Sequence, residues 1–214
     1  MSYTAKDIRN VCLLGHSGTG KPSLVESMLY MTGSIDRLGK VTEGNTVCDS
    51  DPEEAKRQIS ISLAVAPVKF KGCKINVLDT PGYFDFSGEV MEGLRVADTG
   101  IIVGSAKGGL SVGTEKAWKY LQERNMPRAI YIAKTDEENG DFNGAWQTLR
   151  EKFGRSVCPV MMPLWDEDKH IETLLDIVYR RAYQLEGKRR KEVPIPADKQ
   201  DVVDELYDQL CESV

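Results

Sequence analysis

A glycine-rich segment near the amino terminus has the residue types of a phosphate-binding loop. Glycines let successive backbone N–H groups curl around a phosphate without Cβ clashes, a following helix offers its positive end, and a lysine reaches the β and γ phosphates. A glycine-rich turn without a ligand is the plainer alternative, and no G-x-G-x-x-G dinucleotide fingerprint fits here. The pattern G-x-x-x-x-G-K therefore predicts a phosphate loop, with Lys21 also a candidate catalytic residue. The candidate phosphate-binding residues are Gly15, His16, Ser17, Gly18, Thr19, Gly20, Lys21, Pro22 and Ser23.

The residue after Lys21 departs from the usual form of such a loop. Pro22 stands where Ser or Thr normally offers a hydroxyl to Mg²⁺, and proline also removes a backbone N–H that would face the phosphates. Proline is well tolerated in the first turn of a helix, so we expect the loop to keep its shape. Ser23 cannot supply the hydroxyl instead, because one residue turns a side chain about 100° around a helix. The sequence thus predicts a phosphate loop with weakened metal binding.

A second motif follows an apolar run that reads as a strand. Its residues are Asp79, Thr80, Pro81 and Gly82. A carboxylate at the end of a strand can hold Mg²⁺ through water, and a glycine lets a backbone N–H approach a γ-phosphate. The motif alone could equally be a β-turn, but its position downstream of a phosphate loop favours a nucleotide site.

A third motif, Ala133-Lys134-Thr135-Asp136, ends another apolar run. A carboxylate there can accept two hydrogen bonds from the N1 and N2 edge of guanine, while a lysine stem packs on the ring. Because that carboxylate suits guanine and not adenine, an ATPase is disfavoured. The three motifs together predict a protein that binds guanine nucleotides.

The elements around these motifs alternate between apolar runs and helical patterns, which predicts βα units and a mainly parallel sheet flanked by helices. Residues Gly33–Gln58 lack clean periodicity and are predicted to form a long mobile connection. Strands are expected at Asn10–Leu14, Ile59–Phe70, Lys74–Leu78, Gly100–Gly104 and Ala129–Ala133, the second and third forming an antiparallel hairpin. Helices are expected after Lys21 and near Gly88–Val96, Thr114–Arg124 and Asn143–Phe153.

The chain changes in composition after Gly154. Val157–Leu164 is predicted to be a strand, and Asp198–Cys211 an acidic amphipathic helix. Ile171–Leu185 is amphipathic by either period, so strand and helix both stay open. Gly187–Lys191 is a basic turn, and most such runs are solvated loops without a nucleic-acid partner.

The composition excludes several classes of protein. The 214 residues are 41% hydrophobic and 29% charged, as in ordinary globular domains. The net charge of −5 removes the field that stand-alone DNA binding would use. The five cysteines form no C-x-x-C pair, which favours a reducing, cytoplasmic compartment. No segment approaches the roughly 20 apolar residues that a membrane span needs.

The motifs in this order resemble the N-terminal GTP-binding region of the elongation factor G family of translational GTPases, from about residue 5 onward. Further segments that resemble family positions are Asp85-Phe86, Leu94–Asp98, Thr114–Trp118 and Ile195–Asp198. The resemblance implies an α/β phosphate-loop GTPase fold, GTP or GDP with Mg²⁺ as ligands, and the ribosome as a partner. It also implies an incomplete GTP-binding domain over residues 1–156 and the start of an inserted α+β subdomain over 157–214.

Individual residues match the family unevenly. Ser60 lies in a segment that resembles the family's switch, where a threonine usually binds Mg²⁺, and it keeps a hydroxyl. Tyr83 stands where most translational GTPases have the histidine that orients the attacking water; tyrosine is bulkier and neutral near pH 7. Ala133 replaces an asparagine that ties guanine to the phosphate loop. The matching residues are Lys21, Asp79, Gly82, Lys134 and Asp136.

Two functions are therefore expected from this sequence. The first is a GTP-binding domain of a translation factor similar to elongation factor G, with GTP hydrolysis in the full-length family. The second is a degenerate or truncated nucleotide-binding module that acts through interaction only. We expect weak GTP hydrolysis, or none, from the isolated chain, because four residues differ from the types usual in the family: Pro22, Ser60, Tyr83 and Ala133.

Overall fold

The computed structural model describes residues 3–108, 110–168, 170–186 and 189–213. The chain forms two compact units, the first ending at Lys134 and the second beginning at Thr135. Within the described ranges, no helix is both long and apolar enough to cross a membrane. The predicted boundary between residues 156 and 157 stays a prediction.

The first unit is built on a five-stranded sheet with the spatial order β2-β3-β1-β4-β5. Only the β2–β3 pairing is antiparallel, so the predicted α/β fold with a mainly parallel sheet is confirmed. The strands are β1 (Ile8–Leu14), β2 (Ala64–Phe70), β3 (Cys73–Asp79), β4 (Thr99–Ser105) and β5 (Arg128–Ala133). The helices are α1 (Lys21–Met31), α2 (Pro52–Arg57), α3 (Ser87–Val96) and α4 (Val112–Glu123).

Helices cover both faces of this sheet, because successive side chains of a strand point to opposite faces. Cys12 and Leu14 of β1 pack with Leu94 of α3 and Leu121 of α4 on one face. Leu13 and its neighbours pack with Val25 and Leu29 of α1 on the other. This three-layer arrangement fixes the ends of the strands, which is where the candidate site lies.

The predicted β2–β3 hairpin is confirmed, but β2 is shorter than the apolar alternation suggested. The strand begins at Ala64 and not at Ile59. The backbone N–H groups of Ile61 and Ser62 donate instead to the Glu54 carboxylate, at 2.8 and 3.0 Å. A side chain thus takes the hydrogen bonds that a strand partner would have taken.

The region from residue 33 to residue 58, predicted to be a mobile connection, contains regular structure. A 3-10 turn spans Val41–Glu43, and α2 follows at Pro52–Arg57. The Asp51 carboxylate caps α2 by accepting from the Glu53 N–H at 2.7 Å, and Glu54 accepts from the Asp51 N–H in return. This capping box, with Pro52 at the first helical position, is a sequence signal for a helix that hydrophobic periodicity does not show.

The second unit contains a helix α5 (Phe142–Phe153), a four-stranded antiparallel sheet and a final helix. Val203 and Leu206 of the final helix pack on Leu175, Ile177 and Ala182. The ambiguous segment Ile171–Leu185 is two strands, and part of the predicted basic turn is a strand, residues 187 and 188 lying outside the described ranges. The elements are β6 (Met161–Trp165), β7 (Ile171–Asp176), β8 (Arg181–Glu186), β9 (Arg189–Val193) and α6 (Gln200–Ser213).

Candidate functional site

The three sequence motifs follow the carboxyl ends of β1, β3 and β5. Strands β3, β1, β4 and β5 run parallel, so these ends lie at one edge of the sheet. β1 lies between β3 and β4, which places a change in strand order next to the glycine-rich loop. Ligands of open α/β sheets bind in the crevice at such a point.

The glycine-rich loop joins β1 to α1 as predicted. Gly20 is the N-cap of α1 with φ of 98°, and the Leu24 N–H donates to the Gly20 carbonyl at 2.9 Å. Gly15 has φ of 143°, and a Cβ there would collide with the Val103 carbonyl oxygen of β4. Backbone amides at the start of a helix therefore face the crevice, which suits an anion.

Lys21 is almost completely buried, with 3% of its surface exposed. Its Nζ donates to the carbonyl oxygens of Gly15 and His16, at 3.1 and 3.0 Å. Burial lowers the pKa of the ammonium group, and the nearby carboxylates of Asp79 and Asp49 oppose that shift. The loop thus wraps around the cation that is predicted to reach the phosphates.

Pro22 lies in the first turn of α1, where its ring is compatible with the helix. Ser23 is exposed and borders a surface depression with Ser27 and residues 38–42. Pro22 therefore offers no hydroxyl to a ligand, and the hydroxyl of Ser23 belongs to an exposed side chain.

Asp79, at the end of β3, is the most constrained group of the site. It is 1% exposed, and among the described residues no N–H or O–H group donates to its carboxylate oxygens, whereas the Cys48 thiol interacts with them. Burial raises the pKa of this carboxyl to about 7; Asp49 adds to the rise and Lys21 opposes it. A buried carboxylate with no stronger donor than a thiol is costly, so this position needs a ligand or a proton.

The residues after Asp79 hold this loop against the glycine-rich loop. The Thr80 hydroxyl donates to the Leu13 carbonyl at 2.6 Å. A Cβ on Gly82 would lie 2.5 Å from the Ser17 backbone nitrogen, so only glycine allows this close approach. Pro81 is buried, whereas Tyr83 is 43% exposed.

The segment before β2 brings a further carboxylate to the site. Asp49 is buried and accepts a hydrogen bond from the Ser60 hydroxyl at 2.7 Å. Burial is the main cause of the raised pKa of Asp49, and Lys21 opposes it. Ser60, predicted to bind a metal, is thus bonded to Asp49. Asp49 could not be identified from the sequence, because a single aspartate in an aperiodic loop carries no local signal.

His16 and Phe84 form a second group that the motifs did not indicate. Their rings are tilted with centroids 5.9 Å apart, and the Lys116 ammonium lies 3.6 Å from the Phe84 centroid. The Nδ1 of His16 is buried and has no partner among the described residues. Phe84, Lys116 and Gly113 border a water-sized cavity of about 30 Å³, which Tyr83 also lines.

The candidate base-recognition residues follow β5. A Cβ on Gly20 would lie 4.0 Å from the Ala133 Cβ, so Ala133 is next to the phosphate loop. Lys134 has φ of 62° and ends the first unit, while Thr135 and Asp136 belong to the second. Ala106 follows the last residue of β4, and its N–H donates to the Ala133 carbonyl at 2.9 Å, which ties the end of β4 to the end of β5.

Known proteins share this sequence pattern and fold. A family model described as the elongation factor Tu GTP binding domain matches residues 6–214. An elongation factor G-like protein of Mycobacterium tuberculosis H37Rv is 38% identical over 208 residues, which are 97% of this chain and 28% of that protein. Elongation factor G of Mycoplasma genitalium is 32% identical over 212 residues, 98% of this chain and 31% of that protein.

A solved structure agrees with these matches. A crystal structure of a protein from Thermus thermophilus has a TM-score of 0.88 and 35% sequence identity to this chain. It covers 96% of this chain, which corresponds to 31% of that protein. The chain therefore spans only 28% to 31% of the length of the curated relatives.

Proposed function

Because the chain belongs to the elongation factor Tu GTP-binding domain family, it is a guanine-nucleotide-binding domain, and we propose that the loop from Gly15 to Pro22 holds the phosphates. The observation that supports this site best is the burial of two oppositely charged groups, Lys21 and Asp79; no N–H or O–H group among the described residues donates to the Asp79 carboxylate. A charged ligand and its counter-ion would satisfy both groups. Relatives named elongation factor G and elongation factor G-like do not favour the alternative module that acts only through interaction.

Mg²⁺ fits the donors at this site. Mg²⁺ takes oxygen ligands, usually one or two carboxylates plus water and substrate phosphates. Asp79 would hold the ion through water and Ser60 would offer its hydroxyl, while Pro22 offers no ligand. When bound, Mg²⁺ would neutralise charge on the β and γ phosphates. We therefore expect this chain to hold Mg²⁺ more weakly than a loop that ends in Lys-Thr or Lys-Ser.

Guanine selectivity is proposed to depend on Asp136, with the Lys134 stem packing on the base. Ala133 has no amide to connect the base to the phosphate loop, so we expect the nucleotide affinity to be modest. We also propose that a longer protein with this domain acts in translation on the ribosome, in the cytoplasm, as the names of its relatives suggest.

The first prediction concerns the metal. Wild type should bind GDP with little gain from Mg²⁺, because its helix offers no hydroxyl ligand. Pro22→Thr should make GDP binding at least about tenfold tighter in Mg²⁺ than in EDTA, a change of about 1.4 kcal/mol. Isothermal titration with GDP, GTP and ATP, with and without Mg²⁺, measures this difference.

Pro22→Ala is the matched control, because it restores the backbone N–H without adding a hydroxyl. It should tighten binding equally in Mg²⁺ and in EDTA. Tight binding of GDP by wild type that EDTA weakens sharply would show that Pro22 does not limit the metal site.

The second prediction concerns hydrolysis. The isolated 214-residue chain should release phosphate from saturating GTP at a negligible rate, and ribosomes should not stimulate it. Catalysis of phosphoryl transfer is mostly positioning and electrostatics, and each weakened part costs about tenfold, or roughly 1.4 kcal/mol of barrier. Tyr83→His alone should recover little, because the weak metal site remains. Ribosome-stimulated turnover by the unmodified chain would contradict this expectation.

A further inference from the structure

Glu26 is a buried carboxylate in the middle of α1, with 1% of its surface exposed. It forms no ion pair with any residue in the described part of the chain. Its two oxygens accept from two backbone N–H groups, Oε2 from Gly39 at 2.7 Å and Oε1 from Val47 at 2.6 Å. These are short, charge-assisted hydrogen bonds. One side chain of the phosphate-loop helix therefore holds both ends of the loop from Gly39 to Val47.

The loop is closed tightly around this carboxylate. The Lys40 N–H donates to the Asn45 Oδ1 at 2.7 Å, which links the two sides of the loop. A Cβ on Gly39 would lie 2.6 Å from the Asn45 carbonyl oxygen and 2.7 Å from Glu26 Oε2. A side chain at residue 39 would therefore displace the loop from Glu26.

The chain continues from this loop directly into the phosphate site. Cys48 packs with Leu13 and Val25 in the core beneath the site, and Asp49 is buried next to it. Asp49 bonds to Ser60, and its charge acts on Lys21 and Asp79. The position of Asp49 thus depends on a loop whose ends are both bonded to Glu26.

We propose that Glu26 is a positioning residue of the nucleotide site, whose carboxylate holds residues 39–49 in place so that Asp49 and Ser60 stay ordered beside the phosphate loop. This inference rests on the proposed nucleotide site but concerns a residue outside its motifs. A glutamine at this position would keep the size of the side chain, yet it has only one acceptor oxygen. Its NH₂ group would face a backbone N–H, so one of the two bonds would be lost.

The test compares hydrogen exchange of the nucleotide-free protein in wild type and Glu26→Gln. We expect the amides of Gly39 and Val47 to exchange at least about tenfold faster in the variant, as for a lost hydrogen bond to a charged group. The faster exchange should extend to residues 48, 49 and 60, while the amides of β1 and β4 stay protected. Gly39→Ala, which keeps Glu26 but crowds its Oε2, should give the same local pattern if Glu26→Gln does not fold.

Asp98→Asn is the matched control. The Asp98 carboxylate also accepts a backbone N–H, that of Asn10 at 2.7 Å, but at the amino-terminal ends of the strands. This control should leave the exchange of residues 39–49 unchanged.

The second readout is the affinity for the non-hydrolysable analogue GppNHp with Mg²⁺. Glu26→Gln should bind it about tenfold more weakly if the segment is ordered about a tenth of the time, since apparent affinity falls with the competent fraction. Three results would each overturn the proposal. The first is unchanged amide protection in the variant, and the second is a loss of protection spread evenly over the sheet. The third is a local loss of protection with unchanged affinity for GppNHp. If wild type failed to bind any guanine nucleotide, the proposed function would fail, and exchange of the free protein would still decide whether Glu26 orders the segment.

Discussion

Asp136→Asn is expected to weaken GDP binding about 100-fold and to shift the preference of this domain toward xanthine nucleotides. The proposed carboxylate accepts two hydrogen bonds from the guanine edge, and bonds to a charged group are worth roughly 1.5–3 kcal/mol each. An amide keeps one acceptor and presents a donor where guanine also has a donor. Xanthine has an oxygen at that position, so the amide would pair with it.

The preference is measured by the displacement of a fluorescent guanine nucleotide from the protein by GDP, XDP or ADP. Glu138→Gln is the control, because it removes the same charge from an exposed position of the same loop. The control should leave the order of preference unchanged. An Asp136→Asn protein with the wild-type preference would remove the guanine assignment from Asp136.

The fold could be predicted where local sequence patterns determine the elements. Buried strands of β-branched and leucine residues alternate with amphipathic helices, and glycine-rich motifs lie at their junctions, so the order of elements from β1 to α5 could be predicted except for α2. Predicted ends were wrong where a distant side chain competes for backbone hydrogen bonds. β2 begins late because Glu54 takes the N–H groups of Ile61 and Ser62, and Glu89 takes that of Leu63 at 2.6 Å.

The segment Ile171–Leu185 shows a second limit of periodicity. Its apolar residues fit a helix or a strand, and the turn that decides between them has no Gly or Pro. In the structure the Tyr179 N–H donates to Asp176 at 3.0 Å, and Arg180 has φ of 50°, which reverses the chain between β7 and β8. An aspartate in this role is a weak signal, because aspartate is also favoured at the N-terminal ends of helices.

The candidate site likewise contains residues that the sequence could predict and residues that it could not. The positions of its motif residues at the ends of strands could be predicted, because glycines, a lysine and carboxylates follow apolar runs within a few residues. Asp49 and Glu26 could not be predicted, because their roles depend on partners 11 to 21 residues away across a loop without periodicity. The fold determines which N–H or O–H groups donate to a carboxylate, whereas the sequence shows only that the carboxylate is present.

Asp79→Asn is expected to stabilise the free protein at pH 8 while removing any gain in nucleotide affinity from Mg²⁺. The pKa of Asp79 rises from 3.8 in the unfolded chain to about 7 in the native state, mainly through burial. A raised carboxyl pKa means that the native state keeps a proton which the unfolded state has lost. The stability that this proton contributes is complete below pH 3.8 and is lost as pH rises through about 7.

The rise of about three pKa units corresponds to about 4 kcal/mol at pH 8. The net gain from asparagine should be smaller, about 1–3 kcal/mol, because buried Lys21 loses a neighbouring negative charge. At pH 5 wild-type Asp79 is already protonated in the native state, so most of the gain should be lost. Urea unfolding at both pH values, in EDTA and without nucleotide, measures the difference.

Asp85→Asn provides the control, because Asp85 is exposed on the same loop and should give no pH-dependent change. The same Asp79→Asn protein should bind GDP equally in Mg²⁺ and in EDTA, even in the Pro22→Thr background. The substitution would then raise the stability of the protein and remove the effect of Mg²⁺ on GDP binding. Such opposite changes are expected where a buried charge binds a ligand but destabilises the fold. A variant that is less stable than wild type at pH 8 would show that Asp79 has partners in the free protein, and its role as the metal carboxylate would lose its main support.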